Sequence, residues 1–174
     1  GQPAKWEYDK NHIDICKLIL NRPLEPGEKI VITTPFFVKI PSSFISRLGH
    51  GGQSYQITQW YPKPAVYDKY GWHQFPYLNM GEFYSEFGSF DVKITLPKNY
   101  VVGATGDLQN PEEIEWLNEL AKQTSEIKEF TKENDYSFPK SDTILKTIQY
   151  KQSNVHDFAW FADKRFNVLK GERV

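Results

Sequence analysis

Between Phe90 and Leu96, apolar and polar residues alternate without a break: Phe90, Val92, Ile94 and Leu96 against Asp91, Lys93 and Thr95. A period of two marks a strand with one buried face, so the four apolar side chains are expected to face a core. Other runs rich in β-branched and aromatic residues predict further strands at His12–Leu20, Lys29–Ile40, Tyr55–Trp60, Tyr100–Ala104, Ile144–Tyr150 and Val155–Phe161. Pro35 lies inside the second of these and demotes that part to an edge or a bulge. Pro26-Gly27 and Pro97-Lys98-Asn99 supply turns. The period changes once. Asn110 suits an N-cap, Pro111 the first helical position, and Glu113 can complete a capping box. Ile114, Leu117, Leu120 and Ala121 then share a face, which predicts a helix near 111–131, closed by Tyr136 to Pro139.

The expected fold class is mainly β, with one helical excursion near 111–131. One domain is expected over residues 1–174, with 1–11 a loose polar lead-in and 111–141 the helical insertion. An aromatic share of 16% agrees, because aromatic side chains favour pleated, half-buried surfaces. A net charge of −1, with no stripe of Lys and Arg, argues against a nucleic-acid or anionic-membrane partner. No run of about 18 apolar residues is present, so no membrane-spanning segment is expected. Cys16 is the only cysteine, which excludes an internal disulfide but leaves the compartment open; a periplasmic or exported parent is compatible with it.

Candidate chemistry is sparse. None of His12, His50, His73 and His156 is followed by Glu, so the His-Glu-x-x-His helix of zinc peptidases is absent. There is no Gly-x-Ser-x-Gly elbow. Cys16 sits in an apolar run and reads as a small hydrophobe. Glu82, Glu86 and Asp91 offer carboxylates for acid–base work, or simply solvated charges. Gly51-Gly52 reads as a turn, since no Lys-Ser/Thr follows it. Residues 61–82 form a long Pro- and Gly-containing loop with Tyr61, Tyr67, Tyr70, Trp72, Phe75 and Tyr77. Long ordered loops are often functional. These rings either pack the loop onto a sheet or present a stacking surface for sugars or apolar peptide side chains.

Several segments carry a likeness. YQITQWYPKPAVYD at 55–68, GWHQFPY at 71–77 and GEFYSEFGSFDVKITLP at 81–97 resemble the aminopeptidase N family of zinc metallopeptidases, which includes leukotriene hydrolase. NYVVGATGDL at 99–108, VHDFAWFADKRFNV at 155–168 and PLEPGE at 23–28 are similar to flanking strands and a turn of that family. The likeness covers most of residues 13–168 and is nearest to Bacteroidetes-type members. It implies a β-sandwich or saddle of mostly antiparallel strands, here with one helical insertion, that packs on a thermolysin-like domain, where a His-Glu-x-x-His motif and a downstream Glu hold zinc. Neither that motif nor the family's Gly-x-Met-x-Asn motif occurs here; Met80-Gly81 does not match the latter.

The resemblance therefore implies a zinc aminopeptidase for the parent and a non-catalytic N-terminal domain for this chain. No cofactor or metal ligand is expected in the chain itself, and zinc belongs to the parent's catalytic domain. The implied partners are that catalytic domain and the parent's peptide substrate. Gln59 fits the first position of a family Gln-x-Gln or Gln-x-Glu pattern, whose second member helps hold the substrate amine; Tyr61 stands at that second position. With Trp72 and His73 of the aromatic loop they make up the candidate substrate-binding set, with no catalytic residue. The helix at 111–131 looks like a subgroup insertion. Two alternatives stay open: a β-sandwich that binds peptide or glycan through the aromatic loop, and a scaffold domain from a family member that lacks zinc.

Overall fold

The computed structural model describes residues 2–42, 47–78, 80–81, 83–129 and 137–171. In chain order the strands are β1 (Lys5–Tyr8), β2 (Cys16–Ile19), β3 (Gly49–Gly51), β4 (Ser54–Ile57), β5 (Val66–Asp68), β6 (Gly71–His73), β7 (Gly88–Pro97), β8 (Val101–Ala104) and β9 (Asp107–Leu108), then β10 (Leu145–Val155) and β11 (Trp160–Asp163) after helix α1 (Pro111–Ser125). The fold is mainly β, and the pairs between these named strands are antiparallel; Ser42 and His50 add an isolated parallel bridge. The chain divides into two compact units, one made of residues 1–37 and 61–86, the other of 38–60 and 87–174.

The larger unit holds two sheets, ordered β7-β10-β9 and β3-β4-β11-β8. The alternation at 90–96 is realised as expected. Phe90, Val92, Ile94 and Leu96 are buried or half-buried, while Asp91, Lys93 and Thr95 are exposed. Ile94 lies opposite Ile148 and Val92 opposite Tyr150 in the β7–β10 ladder. Ile57, Val101, Val102 and Ala162 bring the second sheet's apolar side chains into the core. A hydrogen bond links the sheets: the buried Tyr150 hydroxyl donates to Val102 O at 2.9 Å. Burial, followed by the charge of Glu113, pushes that hydroxyl's pKa up to about 12. Fully buried Phe158 stacks near Phe90 at 5.8 Å, and its carbonyl accepts from Trp60 Nε1 at 3.0 Å.

Helix α1 departs from the expected capping. Asn110 makes no side-chain cap bond. Its Oδ1 accepts from Gln149 N at 2.7 Å and its Nδ2 donates to Thr147 O at 3.4 Å. Strand β9 is only two residues long, so the amide and carboxamide of residues 109 and 110 continue its pairing along β10; Gln109 N bonds Gln149 O. Glu113, expected in a capping box, turns into the fold and meets Lys146 Nζ at 2.5 Å. Its face of the helix continues through Leu117, Leu120, Ala121 and Thr124, whereas Ile114, expected on the apolar face, is exposed. The helix ends at Ser125 rather than near 131; residues 126–129 are non-helical and 130–136 lie outside the described residues.

Other expectations are corrected. The lead-in 1–11 contains β1, paired with β2 along Lys5–Tyr8. The strand at His12–Leu20 shrinks to Cys16–Ile19, and Cys16 is exposed there rather than buried. The stretch Val155–Phe161 splits between the end of β10 and the start of β11. A register shift in β10 between Gln152 and Val155, with Asn154 at φ 59°, precedes the break. Lys29–Ile40 joins no ladder, and Val31 and Phe37 are 90% and 89% exposed. A strand needs a neighbouring edge to hold it, and Pro35 cannot donate a ladder bond.

Gly106 is required where it stands. Its φ is +90°, and a Cβ there would come 2.5 Å from the Lys151 carbonyl oxygen. Gly106→Ala should destabilise the larger unit by about 1–3 kcal/mol from backbone strain alone. Urea melts that match wild type would mean that the turn relaxes freely.

The smaller unit comprises the β1–β2 pair, the β5–β6 pair and the connecting chain. Asp14 Oδ2 accepts from Tyr77 N at 2.5 Å and ties the two parts together. Val66 is its one buried apolar residue among those described. Trp6, Tyr8, Ile13, Val31, Phe37 and Met80 all lie exposed.

Candidate functional site

The predicted aromatic loop contains a hairpin. Strands β5 and β6 pair as Val66–His73, Tyr67–Trp72 and Asp68–Gly71, with Lys69 and Tyr70 at the turn. Gly71, at φ +104°, supplies the left-handed backbone that the turn needs. Asp68 Oδ1 accepts from Tyr70 N at 2.8 Å and meets His73 Nε2 at 2.8 Å. An Asp that bonds the backbone two residues on mimics a backbone turn, and here it also bridges the strands. The His73 contact first, and then the Tyr70 amide, hold the Asp68 carboxyl below the ordinary carboxylate range.

The hairpin's two faces differ. Val66 is buried on the inner face, where His73 meets Tyr84 edge-on at 5.3 Å and Phe75 at 6.4 Å. Tyr67 and Trp72 lie opposite each other on the outer face, with centroids 4.9 Å apart and planes at 56°. They are 67% and 66% exposed. Lys63 Nζ donates to Ser85 Oγ at 3.1 Å and sits 5.6 Å from the Tyr61 ring centroid. The Tyr67–Trp72 pair is therefore an exposed aromatic surface: cross-strand pairing sets the two rings side by side, and water covers most of their surface.

Of the four residues expected from sequence, Tyr61, Trp72 and His73 belong to this unit and Gln59 to the larger one. Trp72 and His73 are neighbours on β6 but point to opposite faces, since side chains alternate along a strand. Gln59 follows β4 with φ 51°, a conformation uncommon outside glycine. Strain of this kind clusters at functional positions. The partners that sequence reading missed are Asp68, Tyr84 and Lys63, whereas Tyr67 was already among the loop's candidate stacking rings. The signal for Asp68 was present in the alternating stretch Val66–His73, interrupted by Asp68 and Gly71 at turn spacing.

The remaining candidates are dispersed. His50 Nδ1 contacts Gly52 O at 3.0 Å, His156 packs near Phe87 at 5.7 Å, and His12 is exposed. Among the described residues no three His, Cys, Asp or Glu side chains gather into a metal-binding group. Glu82 lies outside the described residues, and Glu86 is exposed. No helix of the described residues is long and apolar enough to cross a membrane. No family model, no curated protein and no solved structure matches the chain.

The lowered Asp68 pKa predicts a pH effect on the hairpin. A depressed folded pKa contributes stability above the unfolded value, and that stability is lost as pH falls through the folded one. The hairpin should therefore hold down to the ordinary carboxylate range and loosen below it. Amide exchange at Tyr70 and His73 reports this. Equal protection in wild type and Asp68→Asn at every pH would show that the carboxylate does not hold the turn.

Proposed function

We propose that this chain is the non-catalytic domain of a zinc metallo-aminopeptidase, and that its smaller unit packs on the catalytic domain and walls the substrate cleft. One observation carries the reading: the smaller unit buries a single described apolar residue, Val66, while presenting ordered rings such as Tyr67 and Trp72 to solvent. Large exposed apolar surfaces on folded proteins mark interaction sites. The ordered series of segments that resemble aminopeptidase N supplies the partner, a domain with a His-Glu-x-x-His zinc site. This chain's own residues then bind, orient and exclude water rather than carry the reaction.

The reading has direct consequences. The isolated chain should release no amino acid from aminoacyl-anilides, with or without zinc. In the intact enzyme, Gln59→Ala and Tyr61→Ala should lower kcat/KM with little change in melting temperature. Tyr67→Ala and Trp72→Ala should weaken docking and leave a properly folded larger unit. A parent gene without a zinc-binding domain would overturn the reading. So would kcat/KM unchanged in all four variants.

The exposed Tyr67–Trp72 pair also favours a second reading, a module that stacks on sugar rings or apolar peptide side chains. Glycan-array binding by the chain, abolished by Trp72→Ala, would select it.

A further inference from the structure

Strand β7 is ten residues long and pairs with β10 from Gly88 to Pro97. It is also the outermost strand of its sheet, so no strand among the described residues pairs with its other side. An edge of this length is a ready template for another strand. Strand β7 carries no Pro before its last residue, and the bulge of this sheet lies in β10; its central charges, Asp91 and Lys93, are of opposite sign.

We propose that β7 pairs with β7 of a second copy, antiparallel about a two-fold axis through Val92, to give a symmetric dimer with one continuous sheet. The proposal goes beyond the docking role of the smaller unit, because it concerns a different edge in the larger unit. The occupant follows from self-complementarity. In this register Asp91 of each copy lies opposite Lys93 of the other, and the half-buried Val92 side chains meet at the axis. Opposite charges directly across antiparallel strands are favourable, and like charges are not. An axis at Asp91 would oppose two aspartates, and an axis at Lys93 would oppose two lysines. Axes between residues would set exposed Asp91 or Lys93 against the core-facing series and break the alternation. Charge and burial together therefore leave the Val92 axis as the best-matched register at the centre of the strand. Asp91 also bonds Gln149 on β10 and lies 3.2 Å from Lys151, on the exposed face of the sheet.

Sedimentation of the 174-residue chain, with light scattering, tests this. Wild type should be dimeric and dissociate on dilution. Lys93→Asp should raise the dimer Kd at least about tenfold, because two favourable pairs become two repulsive ones. Asp91→Lys should do the same, and the double swap should restore dimerisation. Circular dichroism melts separate misfolding from dissociation, and Lys93→Asp avoids disturbing the Asp91–Lys151 contact. A monomeric wild type at all concentrations overturns the proposal. So does a dimer whose Kd is unchanged by both single swaps, or one that the double swap fails to restore although the variant folds.

Discussion

Phe158→Ala should destabilise the larger unit by about 3–5 kcal/mol, the range for truncating a fully buried phenylalanine. Phe158 has no exposed surface, and its ring centroid lies 5.8 Å from that of Phe90. It also sits where the two sheets meet the chain that enters β11, with its carbonyl held by Trp60 Nε1 at 3.0 Å. Phe90→Ala should cost less, since Phe90 is only half-buried on β7. Urea denaturation of the two variants checks the order. A loss below about 1 kcal/mol for Phe158→Ala would place the core elsewhere.

The second large effect belongs to the Glu113–Lys146 pair. Lys146 Nζ lies 2.5 Å from Glu113 Oε1 and 4.0 Å from the Trp116 ring centroid, and both charged side chains are nearly enclosed. Burial holds the Lys146 ammonium below the usual lysine range, while Glu113 works against that. Removing one partner of a buried pair strands the other charge, so Lys146→Met and Glu113→Leu should each cost about 3–5 kcal/mol. The double substitution should recover most of the loss, because an apolar pair of similar volume needs no desolvation. A double-mutant cycle in urea measures the coupling. Additive losses would mean that the two residues act independently. Small single losses would mean that water already reaches the pair.

Helix α1 itself was legible, because Asn110, Pro111 and the helical spacing are local signals. The ion pair was not. Glu113 at the third helical position reads as a capping carboxylate until β10 places Lys146 beside it, 33 residues away. The strand at Phe90–Leu96 was legible for a similar reason, since alternation over seven residues already says which face is dry. Lys29–Ile40 shows the limit. Its β-branched residues satisfy strand propensity, but a ladder needs a partner edge, and no local pattern says whether one is present.

The candidate site divides in the same way. The sequence by itself determined that residues 61–82 are rich in aromatic side chains and turn residues, and that the chain is mainly β with one helix. It also singled out Trp72 and His73, though not what either one touches. Only the tertiary structure decided that His73 turns inward to Asp68 and Tyr84 while Trp72 turns outward to Tyr67. It also put the boundary between the two units between Gln59 and Tyr61. The physical reason is one of range. Backbone propensity and side-chain alternation act over a few residues, so composition and spacing record them. Ring contacts, buried charge pairs and open sheet edges depend on which distant segments the chain brings together, and pairing of that kind exists only in the folded state.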